Sequence, residues 1–205
     1  GHSSWLDGEL AWTFYFKYIK PVEILDQEKF LEKAKQIMEL TTDILPRKLT
    51  GFKVSDILSK EPNADWQVIR QWMEDIKEVE TEPATVDPAR KMSDKKKWYF
   101  KYSRALENIG EYDLCREYCS RARKMFKKDF HFRHRAARCS FKSGKNERAL
   151  IEYDALLNTR NDWFLYFDIA QMALEAKNYK MAEQCLVEAI VRCDQVDHKI
   201  RAYLL

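Results

Sequence analysis

Along the first 80 residues, apolar positions recur at spacings of three and four, the period of amphipathic helices rather than strands. Asp7–Lys20 places Leu10, Phe14 and Tyr18 on one side and Trp12 and Phe16 on another, and it stops at Pro21. Gln27–Thr41 carries a stripe of Phe30, Leu31, Ala34, Ile37 and Met38. A shorter helix is expected over Lys53–Lys60. A fourth is expected over Ala64–Lys77, burying Trp66, Ile69, Met73 and Ile76 or Trp72. Pro21, Pro46 and Pro62 punctuate this region, and the Pro/Glu/Thr-rich run Glu80–Pro88 ends it. No proline follows Pro88, so the rest of the chain is free to be nearly continuous helix. Residues 1–80 are thus read as a helical N-terminal region, 81–93 as a linker, and 94–194 as the main helical array.

That array repeats. Gly110-Glu111-Tyr112-Asp113-Leu114-Cys115 aligns with Gly144-Lys145-Asn146-Glu147-Arg148-Ala149, and both align with Lys177-Asn178-Tyr179-Lys180-Met181-Ala182. The offsets are 34 and 33 residues, and each turn separates two amphipathic stretches. A period near ~34 built from helix–turn–helix units resembles the tetratricopeptide repeat (TPR), here in three degenerate units over about Lys96–Asp194. The places where the family's paired helices touch hold small residues: Ser103, Cys115 and Ala122, then Ala137 and Ala149, then Ala170, Ala182 and Ala189. Leu157 and Asn146 depart from the pattern, and no unit ends in the family's common proline. The resemblance implies an all-α, right-handed solenoid of antiparallel helix pairs. Gln195–Leu205, with Ile200, Tyr203 and Leu204, reads as the start of a capping or further helix.

Composition adds little until it is divided by region. The 205 residues carry a formal charge of only +3. Residues 1–89 balance at −6, residues 90–148 at +12 and residues 149–205 at −3. A basic middle between acidic flanks points to an anionic partner, or to an internal match between halves. No apolar run approaches the ~18 residues that would span a bilayer. Gly1-His2-Ser3-Ser4 lacks the features of a signal peptide and reads as the edge of an excised piece, and the natural chain is expected to run on past Leu205. Five cysteines without a Cys-x-x-Cys pair suggest neither a disulfide framework nor structural zinc, and a cytoplasmic setting is expected.

In tetratricopeptide proteins the first helix of each unit lines a concave face. Carried over to this chain, that face holds Lys97, Lys101 and Arg104, then His131, His134, Arg135, Arg138 and Lys142, then Phe164 and Phe167, with Asp168 beside them. The basic positions recur every three or four residues, so they share helix faces independently of the resemblance. Three uses compete for them. One is a groove for an acidic peptide, one a nucleic-acid surface, and one a solvated face pairing with the protein's own carboxylates. Arg116, Arg121, Arg123, Lys124, Lys127 and Lys128 lie outside that face, and Arg121–Lys124 suit the negative end of a helix. His131-x-x-His134 with Cys139 lacks an evident third ligand, so no metal is expected. No phosphate loop, catalytic triad or His-Glu-x-x-His occurs, and neither an enzyme nor a cofactor is expected.

Gly8–Pro21 and Asp162-Trp163-Phe164-Leu165-Tyr166 are similar to the helical region of tetratricopeptide proteins of prokaryotic conflict systems of the TOTE type. Such arrays can precede a domain thought to contact nucleic acid. The primary expectation is a non-catalytic interaction scaffold for an acidic protein segment. The alternative is a nucleic-acid-associated module that uses the same basic patch.

Overall fold

The computed structural model describes residues 4–21, 26–83 and 92–194. Among them are ten α-helices and no strand. The chain divides into two compact units between Gly110 and Glu111.

The first unit contains α1 (Ser4–Phe14), α2 (Gln27–Leu40), α3 (Ile44–Leu58), α4 (Trp66–Glu74) and α5 (Asp94–Asn108). Its aspartates are used locally: Asp26, Asp43 and Asp65 each accept a backbone N–H at the start of α2, α3 and α4, at 2.9–3.1 Å. Such caps satisfy helix donors that have no partner inside the helix. α3 begins nine residues earlier than the expected Lys53 start, because Pro46 is its third residue. Proline lacks only an N–H that the first turn leaves unused, so there it does not interrupt a helix.

α1 also differs from the expected helix over Asp7–Lys20. At Tyr15 it passes into a π-helical turn, Tyr15–Ile19, closed by the Lys20 N–H on the Tyr15 carbonyl at 2.8 Å. Ala11 and Ile19 are both fully buried. Eight α-helical residues would leave them about 80° apart around the axis, and one wider turn brings them onto the same side. The core of the unit joins Phe30, Ala34, Ile37, Ile69, Met73, Ile76 and Trp98. Trp66 is half-exposed and Trp72 is buried. Lys48 of α3 bonds Glu82 at 2.8 Å and Asp94 at 3.0 Å, tying together the two chain ends that flank residues 84–91. Burial pushes its ammonium down, but the two carboxylates outweigh that and hold its pKa above the ordinary value.

The second unit contains α6 (Tyr112–Met125), α7 (Phe130–Lys142), α8 (Asn146–Leu157), α9 (Trp163–Glu175) and α10 (Tyr179–Arg192). Each helix packs on its successor, and Tyr153, Leu156, Leu165, Ile169 and Met172 form the core with Ala137 and Ala149. The repeat is visible in the backbone itself. Gly110, Gly144 and Lys177, the three aligned turn residues, have φ of 84°, 76° and 57°. At the second and third turns the next residue closes the helix end: Lys145 N–H bonds Ser140 O at 2.9 Å, and Asn178 N–H bonds Ala173 O at 2.8 Å. This is the Schellman arrangement, which favours glycine at the left-handed position. The small residues are equally consistent. Ser103, Cys115, Ala122, Ala137, Ala149, Ala170, Ala182 and Ala189 are all at most 1% exposed, and the departing Leu157 is half-buried.

Lys177 occupies a conformation that costs an L-residue about 1 kcal/mol. Lys177→Gly is therefore expected to stabilise the second unit by about 0.5–1 kcal/mol. Urea denaturation checks this, and a destabilised variant would contradict the turn assignment. The expected helix over Gln195–Leu205, like most of the linker, lies outside the described residues.

Candidate functional site

The ten candidate residues fall into two groups, three in the first unit and seven in the second. In the first, Lys97, Lys101 and Arg104 line one side of a cleft of about 260 Å³, with Ser55, Asp56 and Trp66 among the residues facing them. Asp56 of α3 governs this group. Its carboxylate pairs with Lys97 at 3.4 Å and, more closely, with Lys101. Lys97 also sits over the Phe52 ring at 4.7 Å, and Arg104 over the Trp66 ring at 5.0 Å. Cations over aromatic faces gain electrostatic attraction from the ring quadrupole.

One carboxylate therefore serves two ammonium groups, and the protonation equilibria reflect that shortage. Burial lowers the pKa of Lys101, and Lys97 and Arg104 add repulsion, so together they outweigh Asp56. Burial by itself would raise Asp56, yet Lys101 and Lys97 hold its pKa below the ordinary 3.8. A carboxylate with a depressed folded-state pKa contributes stability above its unfolded value and loses it as pH falls through the folded value. Lys101 acts in the other direction, since its penalty is relieved only as pH climbs towards the ordinary lysine range. The stability advantage of wild type over Asp56→Asn should accordingly be full at neutral pH and shrink below about pH 4. Thermal midpoints measured across that range check it, and a pH-independent difference would rule the pairing out.

In the second unit α7 and α9 are brought together by residues one repeat apart. Phe130 meets Phe164 with ring centroids 5.9 Å apart. His134 Nε2 lies 2.7 Å from Asp168 Oδ2, and the Tyr153 hydroxyl donates to the same oxygen at 2.7 Å. The His134 ring is also packed against Phe130, Phe164 and Tyr153, at 5.6, 5.1 and 6.0 Å. Arg160, from the turn after α8, covers Phe130 at 4.6 Å. His134 is thus held in an aromatic cage by a carboxylate rather than offered to solvent. Arg135 is buried, at 8% exposure. Arg138 is half-buried, and His131 and Lys142 are exposed, with Lys142 6.0 Å from the Tyr112 ring centroid. Phe164 and Phe167 are half-buried, and Trp163 packs against both.

Behind this face, Arg116 of α6, Ser140 of α7 and Glu152 of α8 form a polar cluster. Arg116 bonds Glu152 at 2.9 Å and contacts Ser140, whose hydroxyl donates to Glu152 at 2.6 Å. Cys115, Cys119 and Cys139 are all free and fully buried. Contact with Cys119 and Cys139, reinforced by burial, raises the Cys115 pKa far above the ordinary thiol value. His134 turns to Asp168 and Cys139 to the Cys115 thiol, so these two side chains are engaged with different partners.

Sequence reasoning missed Phe130, Tyr153 and Arg160 as parts of this face. The signal for Phe130 was present in the period, since Phe130 and His134 each contact the residue 34 positions on, whereas Tyr153 and Arg160 reach the face through contacts of no fixed spacing.

No protein-family model and no curated protein matches the chain. Among solved structures it is similar to YrrB, described as a TPR protein with an unusual peptide-binding site. The match has a TM-score of 0.60 at 14% sequence identity, and it covers 87% of this chain and 84% of that one. Likeness at that identity speaks to architecture. The consecutive packing of short-turned helices, the left-handed turns one period apart and this structural match together identify an all-α protein with the TPR-like helical-repeat fold.

Proposed function

We propose that the chain is a non-catalytic interaction scaffold whose α7–α9 face receives an acidic protein segment. The observation that carries this reading is α7 itself. Its thirteen residues include no carboxylate, and they keep His131, Arg138 and Lys142 in addition to the buried Arg135 and the paired His134. His131 and Lys142 are exposed and Arg138 is half-buried, and the half-buried Phe164 of α9 packs on Phe130 and His134 of α7. Cations that clamp carboxylates next to aromatic surface suit a peptide carrying both acidic and apolar side chains. YrrB, which shares the architecture, has a peptide-binding site, and this supports a peptide as the class of partner. Lys97 and Lys101 already hold Asp56, which illustrates the same chemistry satisfied from within the chain.

Fluorescence anisotropy with a labelled peptide rich in Asp, Glu and Leu tests the proposal. Binding is expected, and Arg138→Glu with Lys142→Glu should weaken it by about tenfold or more. Failure of the peptide to bind at low salt would overturn the proposal. Single-stranded RNA provides the contrast. If RNA bound more tightly, with a steep loss of affinity in salt that the same two substitutions abolished, the nucleic-acid alternative would replace it.

A further inference from the structure

Ser120, Arg123, Lys124, Lys127 and Arg133 line an open cleft of about 430 Å³ at the turn between α6 and α7. The helix macrodipole accounts for Arg123 and Lys124, which lie in the last turn of α6. It does not account for Lys127, which lies beyond the helix, nor for Arg133, the fourth residue of α7 and close to that helix's positive end. One Arg133 nitrogen donates to the Ala155 carbonyl at 3.3 Å, which anchors the guanidinium and leaves it further donors.

Among the described residues no carboxylate lines the cleft. Of the cations nearest the cleft in sequence, Arg121 pairs with Glu117 within α6, and Lys128 is exposed and adds to the positive charge. Asp129, the nearest carboxylate in sequence, accepts the His131 N–H as the cap of α7. The four cleft cations make no ion pair among the described residues. Four like charges around one concavity repel one another, and an anion carrying more than one charge relieves that repulsion. A phosphomonoester, with a charge of about −2 and three acceptor oxygens, matches two guanidiniums, two ammoniums and a hydroxyl.

The surroundings select the source of that phosphate. A nucleic-acid strand needs a basic track and aromatic faces for its bases. Here no aromatic side chain among the described residues lines the cleft, so a strand's bases would have no ring to stack on. We propose that the α6–α7 cleft recognises a phosphorylated serine or threonine on a protein partner. Only the choice of a protein as the phosphate's source rests on the scaffold reading above.

Amide NMR titration of the whole chain tests the proposal, with a peptide carrying phosphoserine between alanines as the probe. Shifts are expected over residues 120–133 with the phosphopeptide and not with its unphosphorylated form. Arg123→Gln with Lys127→Gln should weaken that binding by about tenfold or more, with only a small change in thermal midpoint because both side chains are exposed. Arg138→Gln with Lys142→Gln should leave it intact. Absence of phosphopeptide shifts at residues 120–133 would overturn this proposal alone, whereas failure of the acidic peptide at α7 counts against the scaffold reading and leaves phosphate recognition by the cleft standing. Equal affinity for inorganic phosphate, or tighter binding of single-stranded RNA at the same amides, would overturn a protein source.

Discussion

Trp98→Ala is expected to lower the unfolding free energy of the first unit by about 3–5 kcal/mol. Trp98 is fully buried in α5, stacked on Tyr102 at 4.8 Å and edge-on to Tyr99 at 5.3 Å. Its indole N–H donates to the Met73 carbonyl at 2.7 Å. Met73 lies in the last turn of α4, where carbonyls have no partner within the helix. Truncation would remove the largest buried side chain of the unit and orphan that acceptor in the same step. Trp98→Phe separates the two effects. It keeps an aromatic ring but leaves the carbonyl unsatisfied, and it should cost about 1–3 kcal/mol. Guanidinium denaturation of both variants checks the pair. Equal losses would mean that packing contributes little beyond the hydrogen bond.

Glu152→Ala is expected to destabilise the second unit by about 3 kcal/mol. The side chains of Arg116 and Glu152 are 11% and 23% exposed, and three consecutive helices meet at this cluster. Removing the carboxylate strands a largely buried guanidinium, which costs more than the pair contributes. Replacing both partners by methionine should accordingly recover most of the loss. A double-mutant cycle in urea measures that coupling. If Glu152→Ala were near neutral, Arg116 would have to be reaching water instead.

Much of the second unit was legible because its period is encoded twice. Glycine supplies the left-handed turn at positions 110 and 144, and small residues mark the contacts between paired helices. At the third turn Lys177 adopts the same conformation without being glycine, so alignment revealed the turn where composition could not. The start of α3 was hidden by Pro46, since proline punctuates most helical sequences but is accommodated in a first turn. The π-helical turn in the aromatic run at Tyr15–Ile19 was not legible, because its residues keep a helix-like pattern and only burial reveals the change of phase.

The candidate face was legible in outline and not in its electrostatics. Which lysines meet a carboxylate depends on contacts distant in sequence. Asp56 lies 45 residues from Lys101, with no periodic relation to announce it. Asp168 lies 34 residues from His134, so the repeat itself predicts that pair once both are placed at equivalent positions. The regional balance of +12 likewise concealed several placements of charge: at the end of α6, in internal pairs, along α7 and around the α6–α7 cleft.

The most direct measurement of the central claim is amide chemical-shift mapping of the acidic, leucine-containing peptide on the wild-type chain. An interaction face on α7 and α9 predicts shifts concentrated on those two helices, centred on Arg138, Lys142, Phe164 and Phe167. Shifts elsewhere, or none at saturating peptide, would contradict it.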